Sequence, residues 1–317
     1  MSSTSETRLR HSAPSVTEAA IETGHRVVDT VKKVSHTLHW DELPEWSKDN
    51  EYILTGYRRL QYSFSGCLHS VFAYLHNESV NIHSHLWAAV LFLGFLVTAN
   101  DHHIAQYPTA MWLDRAAFAV FLVMAVFCLL CSATFHAVAC HSQEIARQYN
   151  ALDYAGIISL IVGSFYPAVY YGFFCQPTYQ VFYLGGITLA GIGAAVIVLA
   201  PRYATPAYRP IRTAVFVGLG GFGVIPLSHM VLSHGFTAAC EEMGLAWVIY
   251  SMGFYLVGAL IYANRFPERL APGKFDLFFA SHQIFHVHVV LAALSHYVGV
   301  LKAFHHWHGA LNGTCVP

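Results

Sequence analysis

Histidine is unusually frequent in this chain, with 21 histidines against 17 lysines and arginines and 18 aspartates and glutamates. Ser132 and His136 are four residues apart, as are His282 and His286, so each pair would share one face of a helix. Three neutral imidazoles around one cavity are typical of a catalytic zinc site, where bound water has a pKa of about 7. In such a site Asp153 would orient the water or accept its proton, and Ser132 would donate to a developing oxyanion.

The elements that must position these residues are membrane helices. Only 11% of the residues are Asp, Glu, Lys or Arg and 55% are apolar, whereas soluble domains carry about 25% charged residues. A helix needs about 20 apolar residues to span a bilayer. Seven segments meet this condition, at roughly 84–100, 116–138, 153–174, 181–200, 213–233, 245–264 and 278–301. The sequence therefore predicts an all-α, polytopic protein of seven transmembrane helices.

The same composition excludes other classes of protein. A formal net charge of −1 leaves no basic surplus, so we expect no nucleic-acid partner. Seven cysteines in 317 residues are too few for a disulfide scaffold. Cys175, Cys240 and Cys315 are predicted outside the cytosol, where one disulfide would leave one thiol free, and their pairing stays open at this point.

Lysine and arginine between the predicted spans set the orientation. Fifteen of them lie in the N-terminal segment and in the second, fourth and sixth loops, and two lie on the other side. This bias predicts a cytosolic N-terminus and a C-terminus outside. It also places Ser132, His136, Asp153, His282 and His286 within two or three helical turns of the cytosolic surface, in a band about 10–12 Å deep.

We divide the chain into four parts. Residues 1–48 are predicted to be a cytosolic tail, partly disordered with an amphipathic helix, and 49–83 a membrane-proximal helical segment. Residues 84–302 are predicted to form the membrane domain and 303–317 an extracytosolic tail.

The polar stripe of Glu78, Asn81 and His85 at the start of the first span is expected to hydrogen-bond neighbouring helices. The three histidines of the HHWH sequence near the C-terminus are expected to be solvated.

Several motifs together resemble the progestin and adipoQ receptor family, also called haemolysin-III-related, and its fungal members linked to zinc homeostasis look most similar. The motifs are NEYILTGYRR at 50–59, CLHSVFAYLHNESVNIHSHL at 67–86, SATFHAVACHS at 132–142, LDYAGI at 152–157 and SHQIFHVHVV at 281–290. The resemblance implies seven helices, an internal N-terminus and a zinc ion held by His136, His282 and His286. It also implies that Asp153 reaches the zinc through water, with Ser132 one turn before the first ligand.

The resemblance implies hydrolysis of the N-acyl amide of ceramide to a fatty acid and a sphingoid base, because alkaline ceramidases share the Ser, His, Asp and HxxxH pattern. A zinc-dependent lipid amidase is therefore our first hypothesis. The second is a receptor for an extracellular protein ligand in which zinc is purely structural. A metal transporter is disfavoured, because no second layer of carboxylates lies in the outer half of the predicted spans. The expected location is the plasma membrane or an endomembrane such as the endoplasmic reticulum or vacuole.

Overall fold

A computed structural model of the chain describes residues 36–203 and 206–315, without the side chain of residue 206. The predicted disordered tail and most of the predicted N-terminal amphipathic helix fall outside these residues. The first described elements are two short antiparallel strands, β1 (Thr37–Leu38) and β2 (Tyr57–Arg58), with Thr37 opposite Arg58. Between them lie two 3₁₀ turns, Trp40–Glu42 and Glu45–Ser47.

Ten α-helices follow within the described residues. They are α1 (Phe64–Ala73), α2 (Ser79–His102), α3 (Trp112–Val138), α4 (Gln143–Gly172), α5 (Pro177–Val198), α6 (Arg209–Gly221), α7 (Val224–His234), α8 (Phe236–Glu241), α9 (Leu245–Ala263) and α10 (Ser281–His305). Short 3₁₀ turns lie at Ile104–Gln106, Pro201–Tyr203, Pro206–Tyr208 and Glu268–Leu270, and a π-turn at His306–Ala310 extends α10.

Seven spans in the described part of the chain are long and apolar enough to cross a membrane. They correspond to α2, α3, α4, α5, the α6–α7 pair, α9 and α10, which confirms the predicted seven-helix membrane fold. Five spans begin four to ten residues earlier than predicted, at Ser79, Trp112, Gln143, Pro177 and Arg209. Polar residues extend these helices because backbone hydrogen bonding continues through them while their side chains find buried or aqueous partners.

The core lies where α2, α3, α4 and α10 pack together. Phe92, Phe121 and Leu122 are completely buried there, as is Phe304. Small residues set the closest approach of α4 to α3, since a Cβ on Gly156 would lie 2.9 Å from the Cys128 Cα atom. This contact brings the first turns of α4 beside the last turns of α3, the two regions that carry candidate site residues.

The two ends of this bundle differ, and we name them for their contents. The histidine end is formed by the start of α2, the end of α3, the start of α4 and the start of α10. The disulfide end lies opposite, where α3 begins, α4 ends and α10 ends. There the Cys175–Cys315 disulfide joins the segment after α4 to the C-terminal segment, and Cys240 is a free thiol. The structure thus resolves the pairing that the sequence left open.

Candidate metal centre

The N-terminus of α10 is held by a buried carboxylate from a distant part of the sequence. The Glu268 side chain accepts hydrogen bonds from the Ser281 backbone N–H at 2.8 Å and from the Ser281 hydroxyl. Asn50 donates to the same carboxylate at 3.1 Å. An acidic group at a helix N-terminus satisfies free N–H groups and favours the helix dipole. Glu268 therefore fixes the first turn of α10, from which His282 projects.

The C-terminal turn of α3 is held by a buried arginine. Arg58 donates to the backbone carbonyls of His136 and Ala137, the latter at 2.8 Å, and to the Ser70 hydroxyl at 3.0 Å. Its side chain is buried, so these bonds compensate the cost of removing a charge from water. A cation at a helix C-terminus also complements the negative end of the dipole. Arg58 therefore positions the turn that carries His136.

Three histidine rings converge at the histidine end. The ring centroids of His136, His282 and His286 are 4.8–4.9 Å apart in all three pairs. One ligand nitrogen from each lies within 4.8 Å of the others, and His136 and His286 are buried. Two turns of α10 and one turn of α3 therefore present the three imidazoles to one point.

The hydrogen bonds of these rings determine which nitrogens are free to bind a metal. His286 Nδ1 lies 3.0 Å from the Asn81 carbonyl oxygen, which only accepts, so Nδ1 carries the proton and Nε2 keeps its lone pair. His136 Nδ1 lies 2.7 Å from the Glu78 carboxylate, and its buried Nε2 has no hydrogen-bond partner among the described residues. A buried lone pair without a donor is costly, and a metal ion would satisfy it. The donor set therefore fits a metal held by three neutral imidazoles.

Asp153 and Ser132 lie beside this cluster. Asp153 is in the third turn of α4 and Ser132 is in α3; both side chains are buried, and both line one cavity. Asp153 faces the same cavity as the three histidines but is outside the group of mutually close ligand atoms. This placement fits a carboxylate that acts on a water next to a metal ion rather than as a direct ligand.

The cavity below the cluster has a volume of about 1480 Å³ and mostly apolar walls. Drug-sized ligands occupy about 300–1,000 Å³, so this space accommodates a larger, lipid-sized molecule. Its wall includes Val217 and Val224 of the α6–α7 span and Leu256 of α9, apolar side chains that are exposed rather than packed in the core. The α6–α7 span and α9 therefore contribute accessible apolar surface to the cavity.

The structure adds residues that the sequence analysis did not assign to the site. The stripe of Glu78, Asn81 and His85 does bond neighbouring helices, as predicted, but its partners are the candidate ligands themselves. His85 also stacks on His286 with ring centroids 3.7 Å apart. The sequence feature that indicated a role for these residues was their spacing on one helix face. That spacing does not specify which helix lies opposite them.

A second buried polar cluster occupies the disulfide end, where we expected solvated histidines. Asp114 accepts hydrogen bonds from His308 Nε2 and the Tyr171 hydroxyl at 3.0 Å each, and from the Met111 N–H at 2.7 Å. His308 Nδ1 is 2.9 Å from the Thr109 hydroxyl. The prediction for His308 is wrong, because α10 continues into the π-turn and folds this ring into the bundle, 1% exposed.

Seven membrane helices and a cluster of three histidines, two of them buried, define an integral, multi-pass membrane protein with a candidate metal centre. The model of the haemolysin-III-related family matches residues 73–297. The chain belongs to this family, which confirms the resemblance drawn from its motifs.

Named relatives agree with this assignment. The chain is 40% identical over 280 residues to "ADIPOR-like receptor IZH2" of Saccharomyces cerevisiae, covering 87% of each protein. It is 41% identical over 269 residues to "Heptahelical transmembrane protein 1" of Arabidopsis thaliana, covering 83% of this chain and 80% of the relative. "Progestin and adipoQ receptor-like protein 1" of Caenorhabditis elegans is 41% identical over 266 residues, 83% of this chain, which spans only 60% of that relative's length.

Proposed function

We propose that this protein is a zinc-dependent amidase that hydrolyses the N-acyl bond of ceramide-like membrane lipids to a fatty acid and a sphingoid base. One observation carries the proposal. The Nε2 atom of His136, which has no hydrogen-bond partner in the described part of the chain, belongs to a three-histidine cluster that lines a large apolar cavity together with Asp153. Ligand nitrogens, a carboxylate and space for an acyl chain are therefore in one place.

Zinc is the metal that this donor set favours. Three imidazoles with one open position are the usual ligands of a catalytic zinc ion, and the hydrogen bonds on Nδ1 orient such rings. When bound, zinc polarises a carbonyl and lowers the pKa of water to about 7. His136, His282 and His286 would hold it, two from α10 and one from α3.

The residues around the metal would carry out proton transfer and stabilise the developing charge. Asp153 would orient the attacking water, accept its proton and deliver that proton to the leaving amine of the sphingoid base. Ser132 would hold Asp153 in position and donate to the negative charge that develops on the carbonyl oxygen. The apolar wall would bind the acyl chain, which enters from the lipid between α6–α7 and α9.

We further propose that the histidine end faces the cytosol. Fifteen lysines and arginines lie on the side of the N-terminal segment and two on the other. The Cys175–Cys315 disulfide is at the opposite end, whereas Cys67 and Cys140 at the histidine end are free thiols. Disulfides persist in oxidising compartments and thiols in the cytosol, so this distribution supports the same orientation.

A receptor with a structural metal is the second candidate. His136 on α3 and the two histidines of α10 would tie two helices together through the ion, and relatives of the chain are named as receptors. In that function an extracellular protein ligand would act at the disulfide end, and the metal would only hold the helices.

One experiment separates the two candidates. Full-length protein in lipid nanodiscs is assayed for bound zinc and for fatty acid release from ceramide between pH 6 and 9. We expect about one zinc ion per chain, and release that falls roughly 10²–10⁴-fold in Asp153→Asn while zinc is retained. Asp101→Asn, which changes an exposed aspartate, is the matched control. Zinc without any release would favour the receptor, and full release by Asp153→Asn would overturn the catalytic role of Asp153.

A further inference from the structure

Two free cysteines touch each other at the histidine end, outside the site described so far. Cys67 lies in α1 and Cys140 lies two residues after α3, and their sulfur atoms are 3.6 Å apart. Both side chains are buried, Cys140 at 6% exposure and Cys67 at 1%. A disulfide requires an S–S distance of about 2.05 Å, so bond formation would draw the sulfurs roughly 1.5 Å closer.

This thiol pair is mechanically connected to a candidate metal ligand. Cys140 follows His136 by four residues, and its backbone carbonyl accepts a hydrogen bond from the Gln61 N–H at 2.8 Å. Arg58 bridges the same two elements, because it bonds Ser70 of α1 and the carbonyls of His136 and Ala137. A displacement of α1 against the end of α3 is therefore transmitted to the turn that carries His136.

The surroundings also make one of the two sulfurs nucleophilic. A hydrogen bond from the Cys67 thiol lowers the pKa of Cys140 to about 7; burial opposes this effect, and the positive charge of Arg58 reinforces it. The pKa of Cys67 is raised, because it is the hydrogen-bonding partner and is itself buried. The thiolate fraction of Cys140 near neutral pH is therefore larger than that of an ordinary cysteine, and the thiolate is the form that reacts with peroxides.

We propose that Cys67 and Cys140 form a reversible redox site that controls how tightly the adjacent histidines hold their metal. The Cys140 thiolate attacks a hydrogen peroxide oxygen, the O–O bond breaks, hydroxide leaves, and a sulfenic acid forms. Cys67 then attacks that sulfur, the S–O bond breaks, and the S–S bond forms. Two thiols and one peroxide thus give one disulfide and two waters, and a dithiol reductant reverses the change by two exchange steps. The effect on the metal rests on the proposed metal centre; the disulfide itself does not.

The test uses zinc-loaded, full-length protein in nanodiscs, treated with hydrogen peroxide and then blocked with N-ethylmaleimide. Non-reducing digestion and mass spectrometry look for a peptide linking Cys67 to Cys140, and a chromophoric chelator follows zinc release. We expect the linked peptide and a roughly 10–100-fold faster release, the range seen when supporting residues of a metal site are disturbed. Dithiothreitol should restore the slow release.

Matched variants separate this site from other thiols. Cys131→Ser removes another free cysteine of α3 and should keep the full response, whereas Cys67→Ser and Cys140→Ser should each lose it. Cys140→Ala replaces Cys140→Ser if the serine variant fails to fold, and reversal by dithiothreitol in the wild type needs no variant. Absence of the linked peptide, or unchanged zinc release once it has formed, overturns the proposal. If wild-type protein binds no zinc before oxidation, the proposed metal centre is overturned instead. The presence or absence of the linked peptide then tests the thiol site independently of the metal.

Discussion

Each end of the bundle buries a histidine against a carboxylate, at 2.7 Å for His136 and Glu78 and 3.0 Å for His308 and Asp114. At the disulfide end, both nitrogens of His308 have partners, since Nδ1 meets the Thr109 hydroxyl. At the histidine end, Nε2 of His136 has no partner within residues 36–203 and 206–315. A histidine whose hydrogen bonds are complete serves packing, whereas one that keeps a buried lone pair beside two other imidazoles is prepared for a metal.

The surroundings of the two clusters also differ, because one cluster faces open space and the other is enclosed by side chains. The histidine end faces a cavity of about 1480 Å³, and the ring of His308 is instead packed against Phe304 and Phe174. The cavity leaves space beside the first cluster, while aromatic rings enclose the second. We therefore assign ligand chemistry to the histidine end and helix anchoring to the disulfide end, and three substitutions test this division.

Replacing His282 by alanine should have the largest effect, because a site of three ligands depends on each one. We expect loss of zinc and of fatty acid release below detection. A chelator should lower the Tm of the wild type, since ligand at 1,000 times its Kd contributes about 4 kcal/mol, but leave the Tm of His282→Ala unchanged. The control is His288→Ala on the same helix. Full zinc occupancy in His282→Ala would contradict the assignment.

Replacing Asp114 by asparagine should lower the stability of the fold and leave zinc binding unchanged. Asparagine keeps the shape but loses the charge and one acceptor oxygen. Either the Met111 N–H or the His308 and Tyr171 donors are then left unpaired, at a cost of roughly 3 kcal/mol in the free energy of unfolding. Thermal or denaturant unfolding in detergent measures this loss, and elemental analysis of the folded fraction should still find zinc. Zinc loss in Asp114→Asn with unchanged stability would reverse the division between the two ends.

Replacing Glu78 by glutamine should weaken metal binding without unfolding the protein. The carboxylate orients His136 and increases the basicity of its ring, and removal of such partners typically lowers metal affinity about 10–100-fold. Competition with a chelator of known affinity measures the change. Glu144→Gln provides the control, since that glutamate is exposed at the same end and pairs with Arg147. Equal affinities in the two variants would remove Glu78 from the site.

The smallest expected effect is the pH dependence of the thiol pair. With the pKa of Cys140 at about 7, its thiolate fraction rises as pH increases. The rate of disulfide formation with peroxide should rise about fivefold from pH 6 to 7, and less than twofold from pH 8 to 9. Quenching with N-ethylmaleimide at timed intervals measures this rate of disulfide formation. An increase of about tenfold per unit up to pH 8.5 would indicate an ordinary thiol.

Much of the fold was predictable because the bilayer imposes a simple length rule, about 20 apolar residues for each span. The largest errors at the span starts fall where polar residues continue a helix, at Ser79 and Gln143, because a hydropathy window stops at polar turns through which helical backbone hydrogen bonding continues. The C-terminal segment was mispredicted for the same reason. Its histidines look hydrophilic, yet Asp114 and Thr109, about 200 positions away, supply partners for His308 inside the bundle.

The sequence by itself determined the spans, the pairing of His282 with His286 on one helix face, and the positions of His136 and Asp153 near the same end of the bundle. These follow from periods and lengths along a single chain. Only the tertiary structure decided that α3 and α10 meet, that Glu78 and Arg58 hold His136, and that Cys67 touches Cys140. Those contacts join residues 58–205 positions apart. Which helix faces which depends on packing of the whole bundle, and no local pattern in the sequence encodes it.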